Sequence, residues 1–176
     1  MIPEPEPIQI SSELEQAIRR GNPWWYGERA FGLPPMKRWA FAPVLHGVQR
    51  GMAPITLVRG PRQVGKTTLL NQVTDHLLAA GLDPLCIFRA QFDELPDLGS
   101  FAMPILALAW WYSDHILGKS YHKAAAEGQQ AIILLDEVQN LADWAPQLKH
   151  LVDTQPVRVV VSVSSALRIE AGVDSR

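Results

Sequence analysis

The chain has 176 residues, enough for one domain with a core of its own and too few for two full domains. At 47% hydrophobic and 19% charged residues the composition is globular, which excludes both a disordered tail and a membrane-embedded protein. Sixteen Lys and Arg against eighteen Asp and Glu give a net charge of -2, with neither sign gathered in one stretch, so no basic track argues for nucleic acid. The single cysteine, Cys86, has no partner in the chain for a disulfide. The start, "MIPEPEPIQ", is acidic and proline-rich where a secretory signal is basic and then apolar, and a cytoplasmic setting is the expectation. The longest apolar stretch, 101–112, is broken by Pro104 and falls short of the ~20 residues a spanning helix needs, so it reads as core and no membrane partner is expected.

Pro3, Pro5 and Pro7 make the first ten residues an extended arm. Ser12 and Glu15 have capping-box spacing, so a short helix is expected from there to Gly21. An irregular connector rich in aromatic residues, Gly and Pro follows, then a helix over 39–50 that stops at Gly51. We expect an N-terminal arm and helix over 1–34 and the main domain over 35–176.

From Ile55 the pattern changes. "ITLVRG" is a short β-type run, followed by a glycine-containing loop and then by Leu69, Leu70, Val73, Leu77 and Leu78 at helical spacings of three and four, a helix that Gly81 ends. "PLCIFRA" reads as a second strand and 101–128 as one or two helices. "AIILLDE" is a third strand buried on both faces, 144–152 a helix with Pro146 in its first turn, and "VRVVVSV" a fourth strand. Strands alternating with helices imply an α/β fold, a mostly parallel sheet covered on both sides with right-handed crossovers.

Gly60-Pro61-Arg62-Gln63-Val64-Gly65-Lys66-Thr67 fits G-x-x-x-x-G-K-[ST] and lies between a strand and a helix, as that motif requires. The glycines let successive backbone N–H groups point inward at phosphate oxygens, and the helix N-terminus adds partial positive charge. Lys66 would reach the β- and γ-phosphates, and Thr67 would place its hydroxyl on Mg2+; the ATP site is expected over Gly60, Pro61, Arg62, Gln63, Val64, Gly65, Lys66, Thr67 and Thr68. Arg62 is expected to face solvent rather than phosphate. The apolar run Ile132-Ile133-Leu134-Leu135 ends in Asp136 and Glu137. A parallel strand delivers these to the edge of the sheet that holds the loop, where Asp136 can enter the magnesium shell and Glu137 can orient or deprotonate the attacking water. Ser162, Ser164 and Ser165 end the fourth strand. They either contact the γ-phosphate side of the site, if that strand lies between the first and third, or cap a following helix, "SALRIEAG".

These segments, "GPRQVGKTTLL", "IILLDEVQNLADW" and "VRVVVSVSSALRIEAG", resemble the nucleotide-binding core of AAA+ type ATPases, and most of all a group of prokaryotic ATPases in which GPRQVGKT and LDEVQ recur. The resemblance runs from about Pro35 to the C-terminus. It implies a three-layer P-loop NTPase core, with Lys66 and Thr67 as Walker A residues, Asp136 and Glu137 as Walker B residues, and Ser162 or Ser164 as the sensor. Near that sensor the family usually has a hydroxyl residue, Gly and two serines, where this chain has Ser162, Val163, Ser164 and Ser165. The family's sheet runs five, one, four, three, two. Four strands are found here, so an order of 1-4-3-2 is expected with the fifth strand and the helical lid missing after Arg176. The first strand would then be an exposed edge, covered by the N-terminal arm or by self-association.

Other residues have quieter expected uses. Trp24, Trp25, Tyr26 and Trp39 are expected to pack in the core rather than stack on adenine. Arg168 and Arg176 are expected to be surface charges rather than residues acting on a neighbour's nucleotide. The five histidines show no metal-ligand spacing with carboxylates or Cys86. The expected function is magnesium-dependent ATP hydrolysis. The alternatives are a nucleotide-binding switch with negligible turnover, or part of a nucleic-acid motor, since Asp136-Glu137-Val138-Gln139 also resembles a helicase box. A small-molecule kinase is disfavoured because 101–130 contains no arginine, and a GTPase because no N-K-x-D motif occurs. No protein or nucleic-acid target is legible.

Overall fold

The computed structural model describes residues 8–29, 32–50 and 52–165. In chain order the regular elements are α1 (Ser12–Gly21), α2 (Phe41–Arg50), β1 (Ile55–Gly60), α3 (Lys66–Ala79), β2 (Ile87–Gln91), α4 (Pro104–Tyr112), α5 (Tyr121–Ala126), β3 (Ile132–Asp136), α6 (Trp144–Thr154) and β4 (Arg158–Ser164). All strand pairs are parallel and the order is β1-β4-β3-β2. The α/β class and the strand order expected from the sequence are therefore observed.

Alternation along the strands divides the apolar side chains between two layers of helix. Phe88, Ala90, Ile133, Leu135, Val159 and Val161 face a core shared with α1, α4, α5 and α6. Ile87, Ile132, Leu134 and Val160 face the opposite core, shared with Val44 and Val48 of α2 and Leu69, Leu70, Val73 and Leu77 of α3. Every residue of β3 is buried, as its unbroken apolar run requires. Gly60, Gln91, Asp136 and Ser164 end their strands on one common edge of the sheet, with Gly60 level with Ser164 and Gln91 level with Asp136.

Local corrections follow from hydrogen bonding. The cap of α1 is Ser11, not Ser12: its side chain accepts from the Leu14 N–H at 3.2 Å, and Glu15 instead pairs with Arg19 at 2.6 Å. Helix α2 begins at Phe41, two residues later than expected. Residues Pro84–Cys86 form a 3-10 turn capped by Asp83, so β2 starts only at Ile87. The 101–128 stretch holds α4, a π-helical turn (Ser113–Leu117) and α5. Helix α3 ends as expected, with Gly81 at φ 90° and back-bonds from the N–H groups of Gly81 and Leu82 to Leu78 and Leu77. Residues 1–7, Gly51 and the expected "SALRIEAG" helix from Ala166, with Arg168 and Arg176, lie outside the described residues.

The two outer strands differ in how they are covered. At β2 the buried Asn22 acts as a substitute strand, its Oδ1 accepting from Arg89 N–H at 2.7 Å while its Nδ2 donates to Arg89 C=O at 2.8 Å. The indoles of Trp24 and Trp25 both donate to the Ile87 carbonyl, at 3.0 and 2.8 Å. The residues that cover β2 thus come from the end of α1 and the turn after it, while residues 1–7 of the expected arm lie outside the described residues. At β1, Leu57 is 56% exposed. Trp24 is buried and Trp25 stacks on Phe88 and Tyr112, as core packing demands, but Tyr26 and Trp39 are 59% and 91% exposed and do not join the core.

Candidate functional site

The loop between β1 and α3 curls through two residues of unusual backbone conformation. Gln63 and Gly65 adopt positive φ, 61° and 91°, and the turn delivers Lys66 as the first residue of α3. Leu69 N–H donates to Gly65 C=O at 2.9 Å and is the first to find an acceptor in the helix, while Gly65 as N-cap has no side chain to satisfy the N–H groups before it. Those donors and the helix dipole give the loop partial positive charge, which suits an anion. Pro61, Arg62, Gln63 and Val64 are exposed, Arg62 with them as expected, and Gly60, Gly65, Thr67 and Thr68 are half-buried.

Lys66 is buried, and its ammonium donates to Pro61 C=O at 2.8 Å, Gly60 C=O at 3.3 Å and Ser164 Oγ at 2.8 Å. It also lies 3.5 Å from Glu137 Oε1. The Thr67 hydroxyl donates to Asp136 Oδ2 at 2.7 Å. Asp136 is fully buried, and its other oxygen accepts from the Ser162 hydroxyl. The fold thus brings together Lys66, Thr67, Asp136, Glu137, Ser162 and Ser164 from three elements of the chain.

Glu137 lies just beyond β3 in the left-handed region, φ 59°, which turns its side chain back over the sheet edge instead of continuing the strand. Its N–H donates to Ser162 Oγ at 3.0 Å. Oε1 accepts from Ser164 Oγ at 2.8 Å, and Oε2 accepts from the Gln139 amide. Burial pushes this carboxyl up, but the hydrogen bonds from Ser164 and Gln139 and the charge of Lys66 outweigh it, and the net effect holds Glu137 below the ordinary glutamate value.

Two residues join the site that the sequence reading had not assigned. Gln139 bridges Glu137 and the Ser164 N–H, the latter at 3.0 Å. Arg89 of β2 puts its guanidinium 3.6 Å from Asp136 Oδ2. An arginine inside an apolar strand was a signal, because a cation in that position needs a buried carboxylate. A cavity of about 300 Å³ opens at the loop, lined by Arg38, Gln63, Gly65, Lys66, Thr67, Thr68 and Glu137.

The donor set suits a hard cation. Magnesium takes oxygen ligands, typically one or two carboxylates plus phosphates and water, and the hydroxyl of Thr67 beside the carboxylate of Asp136 is such a pair. Among the described residues no helix is long and apolar enough to cross a membrane.

Over 120 residues the chain is 32% identical to "Uncharacterized protein MJ1637" of Methanocaldococcus jannaschii, a match covering 68% of this chain and 23% of that protein. It is also 32% identical over 116 residues to "Uncharacterized protein Rv2008c" of Mycobacterium tuberculosis, covering 65% of this chain and 20% of the relative. The matched part is thus less than a quarter of the length of these relatives. The family model described as "AAA domain" matches residues 52–176, a span that contains the phosphate-type loop, Asp136, Glu137 and the β4 serines, and the chain therefore belongs to the AAA domain family.

Proposed function

We propose that the chain is a module that binds ATP with Mg2+ and hydrolyses it. The observation that carries this reading is the hydrogen-bonded row along the sheet edge, in which the Thr67–Asp136 pair at 2.7 Å lies beside the Lys66–Ser164–Glu137 relay. The α3 N-terminus and Lys66 bind and orient the phosphates. Thr67 and Asp136 hold Mg2+, which when bound neutralises charge on the phosphate oxygens. Glu137 accepts a proton from the attacking water at a carboxylate oxygen, and Ser162 and Ser164 hold Asp136 and Glu137 in register.

A second reading, a nucleotide-operated switch with negligible turnover, has its own support. Both carboxylate oxygens of Glu137 are occupied by donors, and a carboxyl held below its ordinary value is a weaker base. Calorimetry with ATP and Mg2+, run beside a turnover assay on the same sample, separates the two. Binding with turnover that Glu137→Gln abolishes supports hydrolysis, and binding without turnover supports the switch. Absence of binding in the wild type would dismiss both.

A further inference from the structure

Arg38 lies outside the span that the family model matches, and nothing in its sequence context marks it. In the fold it rests against the phosphate-type loop. A β-carbon added to Gly65 would stand 2.6 Å from Cζ and Nη2 of Arg38 and 2.8 Å from its Nε. The guanidinium therefore lies against the N-cap residue of α3, and it lines the same cavity as Lys66, Thr67 and Thr68.

This placement is built rather than casual. Gln72, one and a half turns along α3 from Lys66, is fully buried and spends its amide entirely on the backbone before α2. Its Nε2 donates to Pro34 C=O at 3.1 Å and Met36 C=O at 2.9 Å, and its Oε1 accepts from the Arg38 N–H at 3.2 Å. Three bonds from one buried side chain fix the backbone that carries Arg38. The guanidinium itself has no hydrogen bond or ion pair among the described residues. It also sits at the positive end of a helix dipole, which disfavours a cation, and it lines the cavity with Lys66 and Glu137, whose charges already face each other at 3.5 Å. Arg38 is itself exposed, with its backbone fixed and its five side-chain donors unspent, and such an arginine suits a bidentate phosphate ligand.

We propose that Arg38 is a nucleotide-binding residue that closes on the α- and β-phosphates of a nucleoside di- or triphosphate, and that Gln72 positions it. The assignment to these phosphates follows from geometry. Lys66 turns toward Gly60, Pro61 and Glu137, whereas Arg38 covers Gly65, where the loop amides cradle the inner phosphates. ADP and ATP should thus gain equally from Arg38. This inference rests on the nucleotide reading above.

The test is calorimetry with MgADP and MgATP on the wild type, Arg38→Ala, Arg38→Lys, Gln72→Leu and Lys66→Ala, with the thermal midpoint of each protein measured without nucleotide. Arg38→Ala is expected to weaken both nucleotides by roughly tenfold or more, the usual effect of losing hydrogen bonds to a charged group, with an unchanged midpoint. Arg38→Lys should recover part of that loss. Gln72→Leu should weaken both severalfold on its own and add little on the Arg38→Ala background, since it acts through the arginine. Unchanged affinity in Arg38→Ala, while Lys66→Ala loses binding, would overturn the Arg38 proposal and leave the nucleotide reading intact. A loss confined to ATP would overturn the placement on the inner phosphates. If the wild type bound neither nucleotide, both proposals would fall together.

Discussion

Ser164 Oγ donates to Glu137 Oε1 at 2.8 Å, and the same hydroxyl accepts from Lys66 Nζ at 2.8 Å. One hydroxyl thus joins the first lysine of α3 to a carboxylate beyond β3, and it can do so because β4 lies between β1 and β3. Ser164→Ala should lower turnover by roughly tenfold, a fraction of the ~10²–10⁴ that a positioned general base supplies, with nucleotide affinity nearly unchanged. Paired measurements of Kd and single-turnover rate decide it. A rate equal to the wild type would remove Ser164 from the mechanism.

Lys66→Ala should weaken ATP by roughly tenfold to more than a hundredfold, because it deletes the buried cation of the loop. Calorimetry reads this directly. An unchanged affinity would dismiss the phosphate-loop reading.

Magnesium dependence should reside in Thr67 and Asp136. In the wild type, chelation with EDTA is expected to weaken ATP binding, whereas in Asp136→Ala binding should already be weak and chelation should change it little. Thr67→Val should fall between the two, since it keeps the shape and loses one oxygen ligand. An Asp136→Ala protein with full magnesium dependence would contradict the assignment.

The lowered carboxyl of Glu137 makes a signed prediction about pH. A group whose pKa is depressed on folding contributes stability that is complete above its unfolded value, about 4.3 for glutamate, and is lost as pH falls through the lower folded value. The difference in unfolding free energy between wild type and Glu137→Gln should therefore be flat above that region and decline below it. Urea denaturation across pH 2.5 to 7 provides the check, and a decline that begins near neutrality would show the carboxyl raised instead.

Asn22→Ala should destabilise the fold by about 1–3 kcal/mol, the cost of leaving buried polar groups without partners, because it strips both backbone bonds from Arg89. Hydrogen exchange at the Arg89 amide should rise with it. Unchanged exchange at Arg89 would mean that Asn22 does not seal β2.

What the sequence determined by itself is local. The alternation of strands and helices, the glycine-bearing loop, the end of α3 at Gly81 and the two carboxylates after β3 are all written in spacings of two, three and four residues and in glycine's tolerance of positive φ. The Walker-type motif and the resemblance it carries mark Lys66, Thr67, Asp136 and Glu137 as candidates. Tertiary structure decided what depends on which segments become neighbours. Gln139 as a bridge, Arg89 beside Asp136, Asn22 on the edge of β2 and Arg38 over Gly65 each join residues whose contact no periodicity announces. Trp39 shows the same limit in reverse. An indole is expected to bury itself, but the backbone that Gln72 ties to α3 leaves it on the surface, because three hydrogen bonds from a buried amide fix where that turn can point.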